Sequence, residues 1–174
     1  KGGPVSTSAG GSGYTKIPAN TRARSSPPIG EDVEPESFEK NSTLEPHLWQ
    51  NDKLDPKARQ RMIEIAEDFM EGLDVPAAVE DIRLTGSLAN YNWSKYSDVD
   101  LHIVVDFSIL DDDLELVKAY FDGARMRWNN NHNIKIKGYD VEIYVEDKAE
   151  KHESSGIYSI TNDDWVTIPD PSDV

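Results

Sequence analysis

The stretch LTGSLANYNWSKYSDVDLHIVV, residues 84–105, decides the reading of this chain. Gly86 and Ser87 follow a strand signal over residues 79–85, and Asp98-x-Asp100 opens the apolar run DVDLHIVVDF, residues 98–107. That run is short and rich in branched residues, which predicts a central strand covered on both faces. Side chains alternate along a strand, so Asp98 and Asp100 share a face, with His102 on it two residues deeper. A Gly-Ser turn at the end of a strand can offer backbone N–H groups and a hydroxyl to phosphate oxygens. A short helix over residues 88–92 would add its positive end.

Upstream lies LEPHLWQNDKLDPKARQRMIEIAEDFMEGL, residues 44–73. Leu44, Leu48 and Trp49 are expected to anchor the chain before a helix capped by Asp55, with Pro56 as its first residue. Leu54, Ala58, Met62, Ile65, Ala66, Phe69 and Leu73 recur at helical spacing, while the charged residues fall mainly elsewhere, so the helix should cover one face of a sheet. Gly72 and Pro76 end it. Downstream, a second helix is expected over residues 111–129, with Leu114, Val117, Phe121, Ala124 and Trp128 along one side. NIKIKGYDVEIYVED, residues 133–147, alternates around Gly138 and predicts a hairpin over residues 134–146 that carries Glu142. GIYSITNDDWVTIP, residues 156–169, adds a last short strand or an ordered tail. The fold class expected is α+β, a mixed β-sheet flanked by helices with an extended N-terminal arm.

Residues 1–43 are dominated by Gly, Ser, Thr, Pro and charged residues, and read as a flexible or partner-bound arm. Residues 44–168 form the domain, and residues 169–174 an acidic tail. The formal net charge is -15, yet residues 1–30 hold Lys1, Lys16, Arg22 and Arg24 and no acid, leaving about -19 for the rest. So acidic a body repels a nucleic-acid backbone, which disfavours long DNA or RNA as partner. The absence of cysteine excludes disulfides, cysteine-ligated zinc and thiol nucleophiles. No apolar run is long enough for a membrane helix, so a cytoplasmic or virion-associated location is expected. The first residue is Lys rather than Met, which fits a processed start or the edge of a fragment.

Each piece of the motif is ordinary alone: Gly-Ser is usually a turn, Asp-x-Asp a solvated strand end, and a Glu between Val141 and Ile143 a solvent-facing residue. Their order carries the signal, with a strand, a Gly-Ser turn, an intervening loop, Asp-x-Asp on an apolar strand and a third acid on a later strand. Three close carboxylates repel one another unless a cation neutralises them, and hard divalent cations favour oxygen ligands. The neighbours receive structural readings. Arg83, Lys95, Lys135 and Lys137 are exposed charges, Tyr91, Trp93 and Tyr96 pack the turn, Ser97 buttresses it, and His102 is a hydrogen-bonded core residue.

In this arrangement the chain resembles the DNA polymerase beta superfamily of nucleotidyltransferases over roughly residues 55–146. More narrowly, residues 48–69 leading into residues 81–105 resemble small predicted nucleotidyltransferases of tailed bacteriophages, some of which occur within virion proteins. The resemblance implies a minimal nucleotidyltransferase fold that uses two Mg2+ ions, or Mn2+, with a nucleoside triphosphate. It assigns the phosphates to Gly86 and Ser87, and the metals to Asp98, Asp100 and Glu142, which are also the catalytic residues. The expected activity is transfer of a nucleoside monophosphate to a hydroxyl of a protein or small molecule. The alternative is a phage virion structural or assembly protein that keeps the fold, its arm binding neighbouring subunits.

Overall fold

The computed structural model describes residues 40–172. The chain enters through a buried anchor, in which Leu44, Leu48 and Trp49 are all withdrawn from solvent. The carboxylate of Glu45, itself buried, accepts hydrogen bonds from the backbone N–H groups of His47 and Leu48. A two-stranded ribbon follows, β1 (Trp49–Gln50) paired antiparallel with β2 (Lys53–Leu54). Its turn residues Asn51 and Asp52 have φ of 52° and 63°, a left-handed conformation that Asn and Asp tolerate better than most residues. This ribbon is absent from the sequence reading, because two-residue strands leave no periodicity.

Helix α1 (Pro56–Glu71) starts as expected: the Asp55 side chain accepts from the Ala58 N–H at 3.0 Å, a cap worth about 1 kcal/mol. Ala58, Met62, Ile65, Ala66 and Phe69 are buried. Beyond it run β3 (Val79–Thr85), a 3-10 turn (Ser87–Ala89), β4 (Val99–Val105), the short α2 (Phe107–Leu110) and α3 (Leu114–Asn131). The remaining elements are β5 (Lys135–Ile136), β6 (Tyr139–Asp147), β7 (Ile157–Ser159) and β8 (Asp164–Thr167). The 134–146 hairpin is therefore β5 and β6, turning through Lys137 and Gly138 at φ of 52° and 89°. Two successive positive φ values give a tight turn whose twist matches its strands, and glycine supplies the second without steric cost.

The sheet has the order β5-β6-β4-β3-β7-β8. Strands β4 and β6 run parallel, and the other neighbours antiparallel, so the fold is α+β with a mixed sheet. The parallel pair is joined through α2, α3 and β5, since a parallel return needs a long crossover. One face of the sheet is apolar: Ile82, Leu84, Val99, Leu101, Ile103, Val141 and Ile143 join the buried side chains of α1 and α3 in a single core.

Four expectations change here. Strand β4 is covered over its whole length on one face only; the opposite face carries Asp100 and His102, neither fully buried. Phe107 belongs to α2 rather than to the strand, because Asp106 caps a helical turn by accepting from the Ser108 N–H. Leu114 lies outside the core at 46% exposure, since α3 starts there rather than at 111 and only Val117, Phe121, Ala124 and Trp128 turn inward. Finally, residues 156–169 supply two strands, and Pro169 is still buried where an acidic tail was expected to have left the core.

Of the arm, residues 1–39 lie outside the described residues, and only residues 40–43 are described. Those last residues are docked: Asn41 donates through Nδ2 to the carbonyls of Tyr91 and Trp93 at 3.1 and 2.6 Å, and Trp93 Nε1 donates to the Thr43 carbonyl at 2.8 Å. Among the described residues no helix is long and apolar enough to cross a membrane.

Candidate functional site

Asp98 immediately precedes β4, Asp100 is its second residue, and Asp100 pairs with Glu142 of β6 in parallel register. Register places these two side chains side by side on the face opposite the core. On the other side of β4, Asp100 pairs with Thr85, the last residue of β3, so the backbone turn at Gly86 falls beside the Asp100 carboxylate. The contact is close: a Cβ on Gly86 would collide with Asp100 Oδ2. Gly86 also has φ 80° and ψ -167°, a region that essentially only glycine occupies. The structure thus brings together Gly86, Asp98, Asp100 and Glu142.

The electrostatics follow from this crowding. Burial and then the Glu142 and Asp98 charges push the Asp100 carboxyl up to about 6. The same causes, burial first and then Glu142 and Asp140, raise Asp98. Tyr144, two residues on from Glu142, donates its hydroxyl to Glu142 Oε2 at 2.7 Å. Burial and that hydrogen bond hold the phenol well above its ordinary value. The site is therefore a cluster of mutually repelling carboxylates with one oxygen fixed by a phenol.

Ser87 sits differently from the sequence reading. Its hydroxyl is 2.6 Å from Ser97 Oγ, to which it donates, while Ser97 Oγ also accepts from the Ser94 N–H at 2.9 Å. The pair ties the start of the loop to its end, next to Asp98, so Ser97 does buttress the turn. The helix expected over residues 88–92 is a 3-10 turn of Ser87–Ala89, which ends because Asn90 is extended. One turn contributes little of a helix dipole, so any phosphate affinity here must come chiefly from backbone N–H groups and cations. Trp49 supports the same turn from below, donating Nε1 to the Leu88 carbonyl at 2.7 Å.

The other neighbours divide. Arg83 is half-buried and paired with Asp81 at 2.8 Å rather than exposed, while Lys135 and Lys137 lie 3.7 and 3.8 Å from Asp140 and Asp55. Tyr91 and Trp93 pack against the core, but Tyr96 is 75% exposed with Lys95 over its ring, so it does not pack the turn. His102 is not the hydrogen-bonded core residue expected. Its Nδ1 is buried without a hydrogen-bond partner, and its ring stacks on Tyr144 with centroids 4.9 Å apart. Burial above all, then the charges of His152, Arg125 and Arg83, lower its pKa to about 4.

Among the described residues, the group of metal-ligating side chains whose donor atoms all lie within 4.8 Å of one another is not the three carboxylates but His102, Glu146 and His152. Asp98, Asp100 and Glu142 do not meet that spacing; their all-oxygen chemistry is the kind hard divalent cations take. The residues that sequence reasoning missed are Asp140, Tyr144, Glu146 and His152. The alternation in EIYVE, residues 142–146, carries a signal for Tyr144 and Glu146, since both share the Glu142 face. His152 follows the end of β6 and is returned to the sheet only by tertiary folding. No family model matches this chain, and no curated protein or solved structure matches it.

Proposed function

We propose that the chain is a metal-dependent nucleotidyltransferase of the minimal nucleotidyltransferase fold, moving a nucleoside monophosphate from a nucleoside triphosphate to a hydroxyl on a protein or small molecule. One observation carries the reading: Asp100 lies in register with Glu142, and the Gly86 backbone lies against the Asp100 carboxylate with no room for a side chain. A glycine forced against a carboxylate is the arrangement needed where a phosphate, drawn by the backbone, must share cations with that carboxylate.

In this reading Asp98, Asp100 and Glu142 would hold two divalent cations, which would supply stabilisation of the attacking and leaving oxygens of an in-line displacement. The Gly86–Ser87 turn cradles the β and γ phosphates. The acceptor hydroxyl attacks the α-phosphorus, the bond to the bridging oxygen breaks, and pyrophosphate leaves with that electron pair. Glu142 Oε1, free of the Tyr144 hydrogen bond, takes the hydroxyl proton. The acidity of the body favours a small or protein acceptor over a nucleic-acid template.

The test is calorimetric titration of each nucleoside triphosphate, with Mg2+ or Mn2+, into wild type and the D98N/D100N variant, followed by an assay of pyrophosphate release. Metal-dependent binding that disappears in the variant supports the nucleotide site, and release supports turnover. A folded wild type that binds no triphosphate overturns the proposal.

A further inference from the structure

A second polar cluster lies on the same sheet face, one step further along the strands. Val104 of β4 pairs with Glu146 of β6, His102 pairs with Tyr144, and the segment after β6 brings His152 back over both strands. His152 Nδ1 is 3.1 Å and His102 Nδ1 3.8 Å from Glu146 Oε2, and the two imidazole rings are 4.7 Å apart. The contact between Glu146 and His152 does not account for the rest of the cluster. His102 Nδ1 and Glu146 Oε1 are both shielded from solvent with no hydrogen-bond partner among the described residues. An orphaned buried polar atom is costly, and two of them on adjoining members of one cluster point to a missing partner.

We propose that His102, Glu146 and His152 form a binding site for a transition-metal cation of the Zn2+ class, separate from the carboxylate site. Two imidazoles and one carboxylate suit Zn2+ and Co2+ and not Mg2+ or Ca2+, which take oxygen ligands. In a tetrahedral Zn2+ site the ligand atoms are about 3.3 Å apart, as follows from bonds of about 2.0–2.1 Å. Glu146 Oε2 already lies 3.1 and 3.8 Å from the two Nδ1 atoms, and donor atoms all within 4.8 Å of one another reach that spacing by closing up to about 1.5 Å. Nearby positive charge is countered locally, because Arg83 is paired with Asp81 and Arg125 with Asp122. The bound ion pins the segment carrying His152 to β4 and β6. The fourth position is left for water or another ligand. The site does not depend on nucleotide binding at Asp98, Asp100 and Glu142.

The experiment uses the full chain, stripped with a chelator and titrated with Zn2+ by calorimetry and with Co2+ by visible spectroscopy. Wild type and D98N/D100N should each bind one Zn2+ and give the intense bands of four-coordinate Co2+. The H152A variant should lose at least about tenfold in Zn2+ affinity and the bands with it. His152 is 31% exposed in its side chain, so its replacement leaves the core intact; H102Q, with circular dichroism to check folding, supplies an independent second variant. Zn2+ binding equal in H152A and wild type, pale six-coordinate Co2+ in wild type, or loss of Zn2+ only in D98N/D100N would each overturn the proposal.

Discussion

Gly86 and Asp100 stand so close that the carboxylate oxygen of Asp100 fills the space a Gly86 side chain would need. Two penalties then fall on any replacement of the glycine, one from its backbone conformation and one from the clash. G86A is expected to destabilise the protein by about 1–3 kcal/mol from the backbone alone. A double-mutant cycle with D100A separates the two, because removal of the carboxylate relieves the clash and leaves the backbone cost. Thermal denaturation of the four proteins measures it, and strictly additive effects would show that the contact carries no energy.

Asp100 also sets a pH dependence. Its folded pKa, about 6, lies above the ordinary 3.8 of the unfolded chain, so the folded state favours the neutral carboxyl. The contribution to stability is fully present below about 3.8 and is lost as pH rises through about 6. Asn mimics the neutral acid, so D100N and wild type should match near pH 4. The variant should become the more stable of the two by about 1–2 kcal/mol at neutral pH, after allowance for solvent screening. Denaturant midpoints at intervals across this range test it, and a stability difference independent of pH would contradict it. Added Mg2+ or Mn2+ should narrow the gap at neutral pH by stabilising wild type alone.

The site was legible in the sequence to the extent that alternation and order determine geometry. Alternation puts Asp98 and Asp100 on one face of an apolar strand and leaves Glu142, between apolar neighbours, able to join them from the hairpin; only the parallel register of β4 and β6 sets Glu142 beside Asp100. Asp55-Pro56 likewise marked the start of α1, because a cap is a local device. The lateral order of strands was not legible, since it depends on which edges pair and not on any local pattern. The reading of His102 as a satisfied core residue failed for the same reason. Its environment is made by His152, distant in sequence, and by Glu146 on a parallel neighbour.

Trp49 links the entry segment to the Gly-Ser turn. Its Nε1 donates to the Leu88 carbonyl, its ring stacks on Trp165 at 4.6 Å, and it meets the Tyr158 ring edge-on at 5.0 Å. W49F keeps most of the apolar contact but leaves the Leu88 carbonyl without its donor, at a cost of about 1–3 kcal/mol. Denaturant unfolding should show the loss, and amide exchange should show faster opening of residues 86–90 than of α3. Equal acceleration everywhere would mean that Trp49 supports the fold as a whole and not the turn in particular.

Asn129 does for β6 what a neighbouring strand would do. Strand β5 pairs only with Tyr139 and Asp140, and further along that edge Asn129 of α3 both donates Nδ2 to the Ile143 carbonyl at 3.1 Å and accepts from the Ile143 N–H at 2.9 Å. One side chain thus satisfies both backbone groups of the residue between Glu142 and Tyr144. N129D keeps the acceptor and loses the donor, placing a negative charge against a carbonyl oxygen. N129D should therefore destabilise the protein more than N129A, whose cavity can admit water to both backbone groups. For each variant a loss of about 1–3 kcal/mol is expected, read as a lowered denaturant midpoint with unchanged slope. Because β6 carries Glu142 and Glu146, both variants should also weaken Mn2+ and Zn2+ binding relative to wild type. Unaltered affinity in a destabilised variant would show that Asn129 supports the strand without positioning its acids.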